Sequence, residues 1–271
     1  MIPGISNTAE ERLRQVLEPS ITDLREETLA GRQFSLFDAQ DEEARLLGIE
    51  ASGSGELTVV VTDPSRRLGA IRVQTAGRNN LLFLDNLTWG GSMYASIRIL
   101  GSETVLFFSD IGGAYCAFPD IFMRSSNQLL FWGAGASAVG CSIEFEGEDR
   151  SLAVGDDALI SGGVWIRNYD MHAMHDLRTG RRIGRPPASM VLERHVWLGQ
   201  DAMLLGAERV GMGAIVGARA LVKGPVPPRV AVAGTPARVI RDEVSWGRDT
   251  YAMTPAERLS IGCKPVPDAG D

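Results

Sequence analysis

An all-β solenoid is the fold class the sequence predicts, on three observations. Leu192, Leu198, Leu204, Val210, Val216 and Val222 recur at a strict interval of six. Small residues keep step with them: Gly199, Gly211 and Gly217 one position on, and Val196, Ala202, Ala214 and Ala220 four positions on. Upstream, four similar segments recur, NLLFLD from Asn80, TVLFFS from Thr104, QLLFWG from Gln128 and RSLAVG from Arg150. Neither the helical period nor the two-residue period of a strand gives a spacing of six. A triangular coil with one aliphatic residue per face does. An ordinary buried strand rich in Val, Leu and Gly is the competing reading, and it does not hold six hexads in register.

Each element follows in order. From Thr8 to Ala30 the residues Leu13, Val16, Leu17, Ile21, Leu24 and Leu29 lie at helical intervals, with Asn7 or Thr8 as a cap and Pro19 as a break, so two short helices are expected. Residues 38–48 predict another short helix, stopped by Gly48. Residues 1–75 are therefore expected to form a helical cap, a lid over the open end of the coil, because an uncovered terminal coil exposes strand edges. A partner-binding role for this region is the lesser alternative.

The coil itself is expected over residues 76–240. Leu84, Phe108, Trp132 and Val154 are separated by 24, 24 and 22 residues, one coil of three hexads plus a short excursion each. Val154, Ile160 and Ile166 form three more hexads, with Ala158 and Val164 at the small position. Glycine next to the aliphatic residue suits a corner with positive φ. Leu205 and Glu208 break the pattern in one hexad. Between Val154 and Leu192 about twenty residues leave the coil, giving an inserted loop at 167–191. The hexads stop at Pro225, Pro227 and Pro228, which cannot donate to a ladder. Residues 230–240 read as strand, turn and strand, and a short helix starting at Thr254 and Pro255 closes a tail over residues 241–271.

Composition narrows the function classes. A net charge of −7 and a pI near 5.1 argue against nucleic acid or an anionic membrane as the main partner. Cys116, Cys141 and Cys263 show no paired metal spacing and cannot all pair, which reads as buried free thiols in a reducing cytoplasm. No apolar stretch reaches ~18 residues, so no membrane span is expected.

Two of the three histidines, His172 and His175, sit in the inserted loop with Asp170 and Asp176 beside them. A neutral imidazole held by a carboxylate is the usual means of taking a proton from an alcohol near neutral pH. Asp170 or Asp176 would orient the ring, and either could equally cap a turn. The third, His195, lies on the next coil beside Trp197, read as structural ahead of substrate contact. Stacking of adjacent coils is expected to bring the root of the loop close to the Trp197 turn.

The hexads, HVWLG (195–199), IVGARALVKGPVPP (215–228) and VAGTPARVIR (232–241) resemble the hexapeptide-repeat acyltransferases. DMHAMHDLRTGRRI (170–183) ahead of HVWLG is similar to the branch that O-acetylates sugars and polysaccharides. The resemblance covers about residues 78–245 and implies a left-handed parallel β-helix, a homotrimer, acetyl-CoA as acyl donor and a sugar or polysaccharide acceptor. It implies His172 as general base, with His175 in a packing or acceptor role. It further implies Trp197 beside the acetyl group and pantetheine arm, backbone groups of Gly199, Gly217 and Ala218 on the pantetheine amides, and Lys223 and Arg238 on the coenzyme phosphates. Lys223 stands one position earlier than the lysine of the Thr-Lys pair in similar proteins. No cysteine or serine is paired with a base by any visible motif, so direct transfer without an acyl-enzyme is expected. Arg178, Arg181, Arg182 and Arg185 could clamp an acidic glycan or form a solvated basic loop. The rival readings are acyl transfer to the amine of a sugar nucleotide or other small molecule, a zinc carbonic anhydrase on the same scaffold, and a silent scaffold. Three histidines with gaps of 3 and 20 do not match the zinc arrangement, and no metal is expected.

Overall fold

The residues that recur in the sequence lie directly above one another. In the computed structural model, which describes residues 5–24, 28, 29, 32–110, 112–169, 172–184, 187 and 189–263, Leu84 pairs with Phe108, Phe108 with Trp132, Trp132 with Val154, Val154 with Leu192 and Leu192 with Val210, all in parallel register. This column is the first face of the coil. A second face stacks Ala138, Ile160, Leu198, Val216 and Val232. A third stacks Ile143, Ile166, Leu204 and Val222. These side chains point inward and are buried, as are Ala158, Val164, Val196, Ala202, Ala214 and Ala220 at the small position. In the degenerate hexad Ala207 fills the interior in place of Glu208.

The coil begins earlier than residue 76. Ile49–Gly53, Gly69–Thr75 and Ser92–Ile99 pair in parallel, and Leu57–Val61 pairs with Asn80–Leu84. These early coils have two sides rather than three. Gly69–Thr75 alternates outward and inward along its length, the period-two pattern of one long strand, which no search for hexads finds. Tyr115–Met123 is where the long strand divides: Cys116 pairs with Ala138 on the second face, and Asp120–Met123 pairs with 142–145 on the third. The core tapers with it. Phe108, Phe118, Trp132 and Phe145 fill the wide coils, whereas Ala and Val fill the narrow ones. Phe118 meets Trp132 edge to face at 4.8 Å.

The amino-terminal region divides its work. Helix α1 (Asn7–Val16) and the segment after it lie along the outer side of the first face, not over the open end. Leu13, Val16, Ile21 and Leu24 cover Phe83, Phe107, Phe131 and Val191. The first-face strands are thus buried on both sides, which is why LLFL (81–84), VLFF and LLFW are continuously apolar. Lid duty falls to Ser35–Asp38, antiparallel on Leu57–Val61, and to helix α2 (Glu42–Leu46), whose Ala44, with Leu47 just beyond it, closes the interior core. At the other end Val230–Gly234 and Ala237–Asp242 form the expected hairpin. Helix α3 (Pro255–Ser260) starts with a capping box between Thr254 and Glu257.

The corner chemistry differs from the expectation for glycine. Positive φ falls three residues after the inward aliphatic residue, at Gly135, Asp157, His195, Gly213 and Arg229 on the corner after the first face. Gly199 and Gly211 are glycine for space: a Cβ on Gly199 would stand 2.8 Å from the Ala218 nitrogen, and one on Gly211 2.4 Å from that of Pro228.

Candidate active site

The inserted loop leaves the end of the third face. Its root is tied to the next coil, where the Gly206 N–H donates to the Arg167 carbonyl at 2.8 Å. Asn168 is buried and clasps Glu146, accepting from its N–H and donating to its carbonyl, each at 2.9 Å. Tyr169 is buried above Glu144 and Arg124, accepting from the Arg124 guanidinium at 3.3 Å. Burial, then the Glu144 charge, raise its phenol above the ordinary range. Beyond this anchor Met174–His175 pairs antiparallel with Arg182–Ile183, Met174 opposite Ile183 and His175 opposite Arg182.

His172 precedes this hairpin and is exposed at a cleft of about 230 Å³. Tyr169, Met174, Arg182, Leu205, Gly206 and Lys223 contribute to the lining, and none of the lining residues among those described is acidic. Lys223 therefore shares the cleft of His172. Asp170 lies outside the described residues. Asp176 caps its own turn: Oδ1 accepts from the N–H groups of Arg178 at 2.8 Å and Thr179 at 3.1 Å. Those two bonds hold its carboxyl below the usual carboxylate range. No hydrogen bond joins Asp176 to His172 among the described residues.

Trp197 is not in this cleft. It sits on the outer side of the second face between Leu159 and Ile215, its indole N–H 3.3 Å from the Ser161 hydroxyl. The expectation that ladder stacking joins it to the loop root fails because that root neighbours Leu205 and Gly206, at the far end of the third face. Trp197, Gly199, Gly217 and Ala218 do form one edge of the prism. The ladder consumes two of the expected donors there, since Gly199 N–H donates to Val216 and Gly217 N–H to Val232, each at 2.8 Å. Ala218 is exposed, and its N–H has no protein acceptor among the described residues. Arg238 is exposed on the terminal hairpin, with Nη1 donating to the Ala237 carbonyl at 2.8 Å.

His195 is structural, as read from sequence. It is fully buried with Nδ1 2.6 Å from Asp157 and Nε2 2.7 Å from the Trp246 carbonyl. Burial pulls the Asp157 carboxyl up, but hydrogen bonds from His195 and Arg248 outweigh it and leave the group below its usual range. Sequence reading missed Trp246 and Arg248, whose only signal was an isolated aromatic–Gly–Arg run after the hairpin. Cys116 and Cys141 are buried free thiols, and burial pushes Cys116 up to about 12, which suits an inert core residue. Cys263 is partly exposed. Among the described residues no group of three or more His, Cys, Asp or Glu side chains is placed to hold a metal, and no helix is long and apolar enough to cross a membrane.

No family model matches the chain. The polysialic acid O-acetyltransferase of Neisseria meningitidis is 26% identical over 189 residues, spanning 68% of this chain and 83% of that protein. The galactoside O-acetyltransferase of Escherichia coli K12 is 28% identical over 95 residues, or 35% of this chain and 46% of that one. Among solved structures the polySia-specific acetyltransferase NeuO superposes with a TM-score of 0.55 at 20% identity, covering 79% of this chain and 88% of its own. The fold is the left-handed β-helix. With these sequence relatives, the chain is an acyltransferase, and in sequence and fold it is similar to the hexapeptide-repeat acetyltransferases.

Proposed function

We propose that the chain transfers an acetyl group from acetyl-CoA to a hydroxyl of a sugar or polysaccharide, with His172 as general base. The observation that carries this reading is the exposed imidazole of His172 at a cleft that also holds Lys223. His172 takes the proton of the acceptor hydroxyl as its oxygen attacks the thioester carbonyl. The thiolate of coenzyme A leaves from the same ternary complex. The Ala218 N–H, a backbone donor on the Trp197 edge with no protein acceptor among the described residues, suits a pantetheine amide.

One chain carries His172 and Trp197 on different edges of the prism. The reading therefore includes a homotrimer in which the Trp197 edge of a second copy faces the His172 cleft. Lys223, on the His172 side, then approaches the donor from across that junction rather than from the Trp197 edge.

Replacing His172 tests the assignment. His172→Ala is expected to lower acetyl transfer by about 10²–10⁴-fold, the usual weight of a general base, while acetyl-CoA binding and the oligomer survive. His175→Ala should retain most activity, because His175 lies within the hairpin beside Arg182. Near wild-type turnover in His172→Ala would refute the role.

A further inference from the structure

We infer that Trp246 is a positioning residue for Trp197, so that the carboxyl-terminal segment sets the ring beside the acyl donor; this rests on the reading of Trp197 given above. Trp197 is held weakly by polar contact, with one indole hydrogen bond of 3.3 Å. Its aromatic neighbour is Trp246, at 6.2 Å between centroids and 53° between planes.

Trp246 is fixed from several sides. Its ring stacks on His195 at 4.2 Å and 7°. Its indole N–H donates to the His195 carbonyl at 2.8 Å, and its own carbonyl faces His195 Nε2 at 2.7 Å. A carboxylate and a carbonyl thus flank the imidazole, one at each ring nitrogen, and fix its plane. Arg248 completes the clamp: it pairs with Asp157, donates to the Gly135 carbonyl at 3.0 Å and lies 5.7 Å over the Trp246 ring. A segment about fifty residues downstream is thereby locked onto the coil corner next to Trp197. A rigid indole on one flank of a half-exposed indole limits the rotamers open to it.

The test is calorimetric binding of acetyl-CoA to the full chain, with thermal melting as a control for folding. Trp246→Leu should weaken acetyl-CoA binding about tenfold, an effect of one missing positioning contact, and Trp246→Phe, which keeps an aromatic ring, should restore most of it. A folded Trp246→Leu chain with wild-type affinity overturns the inference. If Trp246→Leu does not fold, Arg248→Ala decides: weakened binding supports the inference and unchanged binding overturns it. Trp197→Ala, measured alongside, separates the two readings. If it binds acetyl-CoA as wild type does, the donor role of Trp197 falls and the inference with it. If it binds poorly while folded Trp246→Leu binds normally, only the inference falls.

Discussion

Gly211 and Gly135 both stand at coil corners, for opposite reasons. Gly135 has φ of 66°, and a Cβ there would meet nothing within 4 Å. Asp157 and His195 occupy the equivalent corner of later coils with φ of 58° and 57°, so the position accepts a side chain that tolerates the left-handed region. Gly211 has no such latitude, because backbone atoms of Pro227 and Pro228 fill the space a Cβ needs. Gly135→Asn should therefore change stability by less than about 1 kcal/mol. Gly211→Ala should cost about 1–3 kcal/mol as an overpacked contact. Thermal melting of the two variants checks the order. A larger loss for Gly135→Asn would contradict this account of the corners.

At the scale of elements, two segments distant from the coil in sequence complete its surface. The amino-terminal strap covers a stack in which Phe107 lies between Phe83 at 4.3 Å and Phe131 at 5.3 Å. Phe107→Ala should cost about 3–5 kcal/mol, as large-to-small changes in closed cores do. The carboxyl-terminal segment depends on the Asp157 carboxylate. Asp157 binds its proton less readily folded than unfolded, so its contribution is fully present above the unfolded value and is lost as pH falls through the folded one. Acidification below the ordinary carboxylate range should release Trp246, seen as a change in tryptophan emission that Asp157→Asn removes. An unchanged acid transition in Asp157→Asn would show that other groups hold the segment.

Across the whole molecule, the hexads located the three-sided rungs from Val154 to Val222, because six-residue spacing leaves a chain few ways to close, and the recurring apolar segments placed Leu84, Phe108 and Trp132 on the first face. The two-sided coils, in which Gly69–Thr75 and Ser92–Ile99 each run as one long strand, were illegible to the hexad signal and replace the three hexads expected between Leu84 and Phe108. The site was legible by parts. His172 and the Trp197 edge follow from motifs, but ladder stacking cannot say toward which edge a twenty-residue loop folds. Asp176 was undecided between orienting a ring and capping a turn, and in the fold its Oδ1 accepts from two backbone N–H groups of its own turn.

That separation of His172 from Trp197 makes mixed oligomers the most direct test. His172→Ala and Trp197→Ala chains, each inactive alone, are mixed under conditions that exchange subunits. A site shared between neighbouring copies predicts recovery of about one quarter of wild-type activity, since random assembly in a closed ring joins the two intact halves at about one junction in four. Confirmed mixed oligomers without activity would place both residues of each site in the same chain.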